Sequence, residues 1–476
     1  METMDQVDQS LLGAKEDFLV ALPTIMEYVK VRCLSPAFDQ GWESHGEIDR
    51  AVDLYRSWAE HQAIDGATVW VSEIPGRTPA LVIDVPGTYH STQTVLLYGH
   101  LDKQPAVAPW RDGTDPFEAV QRGDKIYGRG VADDGYAMFA ALAGIQAARR
   151  SGGAVPRCVV FIEASEESGS PDLDAHLDKI LPSLGEVGLV VCLDSGGLDF
   201  ERLWITTSLR GNLVLTVSVK VLEHGVHSGS ASGVVPSSFR VLRALLSRVE
   251  DESTGDLKLP ILTPEVPEFY LDRAQALEEE LGDPLGEAFP VVEGLSLMGD
   301  SGSDRLVRQT WRGALSVTGI EGVPEIESGG NVLRSYTKAK LSFRLPPNVD
   351  AQAAQDEIVR VLTVDPPYGA EVVVETETPA QGWVAPLPAP WLAKALNEAS
   401  LLAFGKPVGY CGEGGTIPFL YTLGAKFPKA EFVATGVLGP GSNAHGPDES
   451  LSIPTAQGVA VAVAKILSAM PESMEN

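Results

Sequence analysis

The chain has 476 residues, and 36 basic against 65 acidic side chains give it a formal net charge of −29 at pH 7. A surface this acidic repels nucleic-acid phosphates and anionic membranes, so neither is expected as a partner. Apolar residues make up 44% of the chain, which excludes a disordered protein and predicts two or three domain cores.

The sequence shows no sign of export or of membrane insertion. It begins with acidic rather than basic residues, and no segment reaches the ~18 apolar residues that a membrane span requires. The four cysteines are widely scattered and form no CxxC motif, a distribution typical of reduced thiols. We therefore expect a cytoplasmic protein.

Residues 1–207 alternate short apolar runs with a helical pattern. Strands are predicted at 95–98, 158–162 and 189–193, and a helix is predicted at 135–150. Alternation of strand and helix is typical of a sheet covered on both faces. The prediction is an α/β domain with a mostly parallel sheet.

Residues 208–384 have a different pattern, in the order β-α-β-β-α-β of a ferredoxin-like (α+β) unit. The predicted strands are 213–221, 314–320, 338–345 and 371–376, and the predicted helices are 236–249 and 350–361. Residues 251–312 are interpreted as a partly helical insertion within this unit.

Residues 385–476 return to the first pattern after a Pro-rich stretch at 385–390. A helix at 391–404, a strand at 432–437 and a final helix are predicted there. Segments 1–207 and 385–476 are therefore expected to form one domain, into which 208–384 is inserted as a lid.

Metal-capable side chains follow the predicted strands of the first domain or, for Asp133 and Asp134, the glycine loop at 128–130. They are His100, Asp102, Asp133, Asp134, Glu166, Glu167, Asp194 and His445. Each alone is commonly a surface or turn residue. Open α/β sheets place their binding and catalytic sites beyond the carboxyl ends of the strands. The presence of so many metal-capable side chains at this one edge therefore indicates a metal site.

The ligand types suit two divalent ions. Imidazole and carboxylate without thiolate can hold Zn²⁺, and they also tolerate Mn²⁺, so the metal stays open. Asp102 would accept the free N–H of His100 and fix its tautomer. One of Glu166 and Glu167 would bind metal while the other acts as general base, and the residue types leave open which does which.

Several motifs together resemble one known family. They are His100-Leu-Asp102, Gly128-Arg-Gly-Val-Ala-Asp133-Asp134, Glu163-Ala-Ser-Glu166-Glu167, Asp194 and Asn443-Ala-His445-Gly-Pro. They resemble the co-catalytic metallopeptidases, the family of aminoacylase, succinyl-diaminopimelate desuccinylase, glutamate carboxypeptidase and carnosine dipeptidase. The match runs in family order from about residue 90 to the C-terminus and is closest to the cytosolic nonspecific dipeptidase and carnosine dipeptidase branch.

The resemblance implies a zinc-peptidase-like catalytic domain formed by 1–207 and 385–476, and a lid and dimerisation domain formed by 208–384. It implies two divalent ions, Zn²⁺ or Mn²⁺, and a homodimer formed through the lid. The implied metal ligands are His100 and Asp194 on one ion, Glu167 and His445 on the other, and Asp133 between them. Glu166 is the implied general base, acting on a metal-bridging hydroxide, and Asp102 supports catalysis.

Further motifs in the lid and the last segment extend the resemblance to the substrate. It implies that His227 reaches a neighbouring subunit's active site, and that Asn331, Arg344, Gly415 and Thr416 hold the substrate, with Arg344 on its carboxylate. From spacing alone, other interpretations stay open. His227 lies in a Gly/Ser turn, Arg344 shares a strand face with other polar residues, and Thr416 follows a glycine turn.

The resulting prediction is metal-dependent hydrolysis of an amide bond in dipeptides or small peptides with a free C-terminal carboxylate. The alternative is an N-acyl amino acid amidohydrolase with the same site, and the length of the lid favours the dipeptidase. A metal-free binding protein is the alternative from another class. Residues 379–383 contain no histidine, where carnosine-type dipeptidases place one, so the substrate's side-chain preference stays open.

Overall fold

The computed structural model describes residues 6–89 and 93–471, and the chain divides into two compact units. The second unit consists of Ser208–Val384 and Gly412–Pro418, and the remaining described residues form the first. Residues 412–418 were predicted to lie in the catalytic domain. They belong to the second unit, where the Thr416 hydroxyl donates to the carbonyl oxygen of Arg210 at 2.6 Å.

The strands, numbered in chain order, lie in both units. They are β1 (Thr68–Ser72), β2 (Ala80–Val85), β3 (Gln93–His100), β4 (Val120–Arg122), β5 (Lys125–Tyr127), β6 (Arg157–Glu163), β7 (Glu186–Cys192), β8 (Trp204–Leu209), β9 (Gly211–Lys220), β10 (Val226–His227), β11 (Ala314–Glu321), β12 (Val332–Leu333), β13 (Tyr336–Leu345), β14 (Glu371–Thr376), β15 (Trp383–Val384), β16 (Gly409–Glu413), β17 (Glu431–Ala434) and β18 (Ser450–Ser452).

The α-helices are numbered in the same way. They are α1 (Gln6–Leu12), α2 (Ala14–Val29), α3 (Trp42–His45), α4 (Glu47–His61), α5 (Ala137–Arg150), α6 (Leu173–Leu184), α7 (Ser228–Ala231), α8 (Ser238–Leu246), α9 (Glu268–Leu281), α10 (Gly302–Thr310), α11 (Ala351–Thr363), α12 (Pro390–Phe404), α13 (Pro418–Lys426) and α14 (Ile453–Ala469). Within residues 6–89 and 93–471, none of these helices combines the length and apolar character needed to cross a bilayer.

The first unit is built on a mixed sheet in the order β1-β2-β6-β3-β7-β17. Strands β6, β3, β7 and β17 run parallel, and β1 and β2 form an antiparallel edge that the sequence analysis did not place. Apolar runs such as Leu189–Cys192 in β7 are buried, as expected for strands covered on both faces. The parallel part of the sheet agrees with the α/β prediction.

Helices α2, α5, α12 and α14 pack together in this unit. Helix α14 buries most of its side chains, and its N-cap Ser452 accepts a hydrogen bond from the backbone N–H of Thr455. Small residues make this packing close: a Cβ at Gly144 of α5 would lie 2.6 Å from the Val463 side chain. The core therefore anchors β3, β6 and β7, whose carboxyl ends lead into the site.

The second unit contains an antiparallel sheet in the order β11-β13-β9-β14. Burial alternates along β9, so one face of the sheet covers the core that α8 and α11 complete. Asp350 caps α11, as expected, by accepting from the N–H of Ala353 at 2.8 Å. The strands of this sheet and the two helices follow one another as β9, α8, β11, β13, α11 and β14, and β10, α7 and β12 are additional short elements that were not predicted. Helices α9 and α10 lie in the segment interpreted as an insertion.

Candidate metal centre

His100 is the last residue of β3, and its imidazole is fully buried. Its Nδ1 lies 3.2 Å from the carbonyl oxygen of Asp102 and 3.5 Å from the Asp102 carboxylate. An N–H at Nδ1 leaves the lone pair on Nε2, which faces Asp133 at 3.2 Å. The orientation suits His100 as a metal ligand through Nε2.

Asp102 also determines where the two glutamates lie. Its Oδ1 accepts the backbone N–H of Glu166 at 3.1 Å, and its Oδ2 accepts that of Glu167 at 3.0 Å. These residues form a 3₁₀ turn, Glu166–Ser168, shortly after β6. Asp102 therefore supports the histidine on one side and the glutamate turn on the other.

His445 approaches from the last segment of the chain and contacts two acids. Its Nε2 lies 3.0 Å from Oδ2 of Asp133 and 3.2 Å from Oε2 of Glu167. The same Oε2 atom accepts a hydrogen bond from the Gln104 amide at 2.8 Å. Glu167 is thus held by His445 and Gln104, and its carboxylate lies close to oxygen and nitrogen atoms that could also bind a metal ion.

Two clusters of potential ligand atoms result, each with its atoms within 4.8 Å of one another. The first consists of His100, Asp133 and Asp194, and the second of Asp133, Glu167 and His445. Asp133 belongs to both, with Oδ1 toward His100 and Oδ2 toward His445. A carboxylate placed in this way can bridge two ions, and imidazole with carboxylate is a fitting donor set for Zn²⁺ or Mn²⁺.

The charges of the site also favour bound cations. Burial raises the pKa of Glu166 well above its usual range, and Asp194 and Glu167 raise it further against the opposing influence of His100. Burial would lower the pKa of His445, but its hydrogen bonds with Asp133 and Glu167 outweigh burial and raise that pKa to about 11. Several carboxylates therefore lie close together around two imidazoles, and bound divalent ions would neutralise their negative charge.

Comparison with known proteins identifies the family. Residues 96–469 match Peptidase family M20/M25/M40. The chain belongs to this family. It is therefore a metallopeptidase, a hydrolase class that depends on divalent metal ions, and the two ligand clusters are the candidates for binding them.

Two similar proteins of known function are named as dipeptidases. The chain is 28% identical over 396 residues to cysteinylglycine-S-conjugate dipeptidase of Corynebacterium striatum, covering 81% of this chain and 83% of the relative. It is 27% identical over 358 residues to human Beta-Ala-His dipeptidase, covering 71% and 68%. The resemblance predicted from the motifs, including its dipeptidase branch, is confirmed.

Solved structures of the family share the fold. The crystal structure of human carnosine dipeptidase 1 superposes with a TM-score of 0.77 at 22% identity, covering 98% of this chain and 99% of that chain. The structure of Dug1p from Saccharomyces cerevisiae gives a TM-score of 0.76 at 22% identity with the same coverage. A mixed α/β peptidase fold of this family is thereby established.

The other candidate residues lie in the second unit. Arg344 donates from Nη1 to the Thr416 hydroxyl at 2.9 Å, and burial lowers the pKa of its guanidinium. His227 is exposed on β10, and Asn331 precedes β12, the strand that pairs with β10. Gly415 has open space where a Cβ would project. Arg344, Thr416 and Gly415 are thus close in the fold, and His227 and Asn331 share a separate small ribbon.

Some residues that contact the candidate residues of either unit were not singled out by the sequence analysis. Gln104 contacts Glu167, and buried Glu449 accepts hydrogen bonds from the loop that carries Asp133. Arg210, beside Arg344, donates to the carbonyl of Gly414 at 3.1 Å, and burial together with Arg344 lowers its pKa to about 10. For Gln104 and Glu449 the available signal was proximity in sequence to motif residues, which does not indicate where a side chain points.

Proposed function

We propose that this chain is a dipeptidase that binds two divalent metal ions per chain and hydrolyses the amide bond next to a free C-terminal carboxylate. The observation that carries the proposal is the position of Asp133, whose two oxygens face different imidazoles in two adjoining ligand clusters. Its family relatives named as dipeptidases support the substrate class.

Glu166 is the proposed general base. Its Oε2 lies 4.0 Å from Nε2 of His100, and it belongs to neither of the two ligand clusters. Glu167, the adjacent residue, is engaged by His445 and Gln104 instead. Glu166 is therefore the carboxylate left to take the proton of the attacking water and pass it to the leaving amine.

The proposed ligands are His100 and Asp194 for one ion, Glu167 and His445 for the other, and Asp133 for both. When bound, the ions polarise the scissile carbonyl and make water a stronger acid. Zn²⁺ is proposed, with Mn²⁺ as the alternative that the same donor set accepts. Asp102 keeps the His100 ring and the Glu166 backbone in place through its hydrogen bonds.

Arg344 is proposed to hold the carboxylate of the substrate, together with Thr416 and the backbone at Gly415. Among the described residues, no acidic side chain forms an ion pair with Arg344, and its guanidinium donates to the neutral hydroxyl of Thr416. A half-buried guanidinium without a counter-ion is suited to a carboxylate from outside. Asn331 is assigned to the same substrate, on the basis of the family resemblance alone.

A homodimer through the second unit is also proposed, with His227 acting in the neighbouring subunit's site to stabilise the negative oxygen that forms during hydrolysis. Strand β11 is an edge strand, and its Val317 and Ile320 are each 53% exposed. The backbone groups on the outer side of an edge strand can pair with a strand of a second copy of the chain. Sedimentation of a Val317→Lys/Ile320→Lys variant is expected to show monomers, whereas Val20→Lys in the first unit is expected to leave the dimer intact.

The cytoplasm is the proposed location. Cys33, Cys158, Cys192 and Cys411 are all buried and none is in a disulfide, as expected for a reducing compartment.

The decisive experiment is a substrate panel run with Zn²⁺ and with Mn²⁺. We expect kcat/KM to be higher for plain dipeptides than for N-acetyl and N-succinyl amino acids. C-terminally amidated dipeptides are the matched control for the free carboxylate, and we expect them to be poor substrates. A clear preference for the acylated set would show an N-acyl amino acid amidohydrolase instead.

A further inference from the structure

A buried ion pair connects the two loops that carry Asp133 and His445. The Nη1 atom of Arg129 donates to Oε2 of Glu449 at 2.7 Å, and both side chains are almost completely buried. The Nη2 atom of the same guanidinium donates to the carbonyl oxygen of Gly446 at 2.6 Å. Since Gly446 directly follows His445, one arginine joins the two ligand loops.

The Glu449 carboxylate determines the shape of the Asp133 loop. Its Oε2 also accepts the N–H of Gly130 at 2.9 Å, and its Oε1 accepts those of Ala132 at 3.0 Å and Asp133 at 3.2 Å. Four donors therefore converge on two oxygens. Three of these donors are backbone N–H groups between Gly130 and Asp133. The position of the main chain at Asp133 therefore depends directly on Glu449.

The His445 loop needs an external restraint of this kind. Asn443, His445 and Asp448 have φ values of 55°, 62° and 59°, in the left-handed region that non-glycine residues seldom adopt. His445 itself is exposed, so core packing does not hold its side chain. The hydrogen bond from Arg129 to Gly446 is well placed to keep this conformation.

The other cluster is supported differently. His100 is part of β3, and Asp194 follows β7, so both are held by the central sheet. In the cluster of Asp133, Glu167 and His445, two of three members lie on the loops that Arg129 and Glu449 connect. Disturbing the pair should therefore affect this second cluster more than the first.

We propose that Arg129 and Glu449 are positioning residues that set the metal affinity of the Asp133, Glu167 and His445 cluster. The inference rests on the metal centre of the proposed function, but not on its substrate. A buried ion pair is by itself a poor source of fold stability, since desolvation offsets the attraction. Its role here is to keep two loops, distant in the chain, in one relative position.

The test is metal titration of the metal-depleted full chain, by calorimetry and by metal analysis after dialysis. The wild type is expected to bind two Zn²⁺ or Mn²⁺ ions. In Glu449→Gln, the site formed by Asp133, Glu167 and His445 is expected to lose about 10–100-fold in affinity, the range known for residues that orient metal ligands, and the site formed by His100, Asp133 and Asp194 is expected to lose less. The double variant Arg129→Met/Glu449→Gln should lose at least as much affinity at the site that contains His445 as the single variant, because it also removes the hydrogen bond from Arg129 to Gly446.

Asp84→Asn is the matched control. Asp84 pairs with Arg157 at 2.6 Å, and Arg157 begins β6, at the opposite end of that strand from the glutamate turn. This variant is expected to lower the melting temperature while leaving both metal affinities unchanged. If Glu449→Gln folds poorly, Arg129→Lys keeps the charge, loses one of the two contacts and should show a smaller loss at the same site.

The inference is overturned if Glu449→Gln binds both ions like the wild type, or if Asp84→Asn weakens the second site equally. It is also overturned if the wild type binds no metal. A wild type that binds two ions but hydrolyses no dipeptide would refute the proposed substrate class, and the difference between the two sites in Glu449→Gln would still be measured.

Discussion

Oδ2 of Asp133 lies 3.0 Å from Nε2 of His445, although the two residues come from distant parts of the chain. The other oxygen of Asp133 faces His100 at 3.2 Å, so one carboxylate contacts both imidazoles of the candidate metal centre. Its hydrogen bonds with these histidines outweigh the effect of burial and hold the pKa of Asp133 well below its usual range. Asp133 is thus kept ionised at the point where both ligand clusters meet.

Asp133→Asn is expected to remove both metal ions, because the two clusters share this side chain. Residues that merely orient ligands contribute about 10–100-fold to affinity, so loss of the shared ligand should cost more than ~100-fold. Metal analysis after dialysis and kcat/KM for a dipeptide measure the effect. Asp124→Asn, an exposed carboxylate between β4 and β5, is the control, and an equal loss in both variants would contradict the prediction.

Glu166→Gln is expected to retain metal and to lose at least ~10²-fold in kcat, because an amide cannot accept the proton of the attacking water. Glu167→Gln is the matched comparison, since the neighbouring residue lies in a ligand cluster. It should lose metal first and activity as a consequence. Unchanged turnover in Glu166→Gln would exclude its role as general base.

Arg344→Met is expected to reduce kcat/KM for dipeptides by about 10–100-fold, the value of charged hydrogen bonds to a carboxylate. The loss should lie mainly in KM and should be absent for the amidated dipeptide. Lys340→Met, on the same strand but exposed, controls for loss of positive charge. Equal losses for free and amidated substrates would show that Arg344 does not bind the carboxylate.

His176 is expected to make the first unit less stable in mild acid. Its Nε2 lies 2.7 Å from the carbonyl of Thr78, its Nδ1 lies 2.9 Å from the Ser72 hydroxyl, and burial lowers its pKa. The pKa of His176 is therefore lower in the folded protein than the value of about 6.5 expected in the unfolded chain. Its contribution to the free energy of unfolding is complete at pH values above about 6.5. The stability is lost as the pH falls below it, because the unfolded state then binds the proton better.

Thermal melts between pH 7.5 and 5 measure this effect. The advantage of the wild type over His176→Gln should shrink as the pH falls. An advantage that stays constant for His176→Gln would contradict the assignment.

Much of the fold was predictable because its signals are local. The apolar runs at 158–162 and 189–193 are strands β6 and β7, and the helical pattern at 135–150 is α5. The antiparallel edge of β1 and β2 was not predicted, and the strand expected at 432–437 ends at Ala434. Strand ends and edge positions depend on partners in the sheet, which the local pattern does not contain.

The sequence by itself determined the family and the residue types near the metal centre, because motif residues at strand ends are adjacent to the elements that present them. Only the tertiary structure decided which oxygen of Asp133 faces which histidine, and that Glu449 and Arg129 join their loops. Those relationships are contacts between segments far apart in the chain. Their geometry depends on how the packed sheet and its loops bring the segments together, and no local pattern records it.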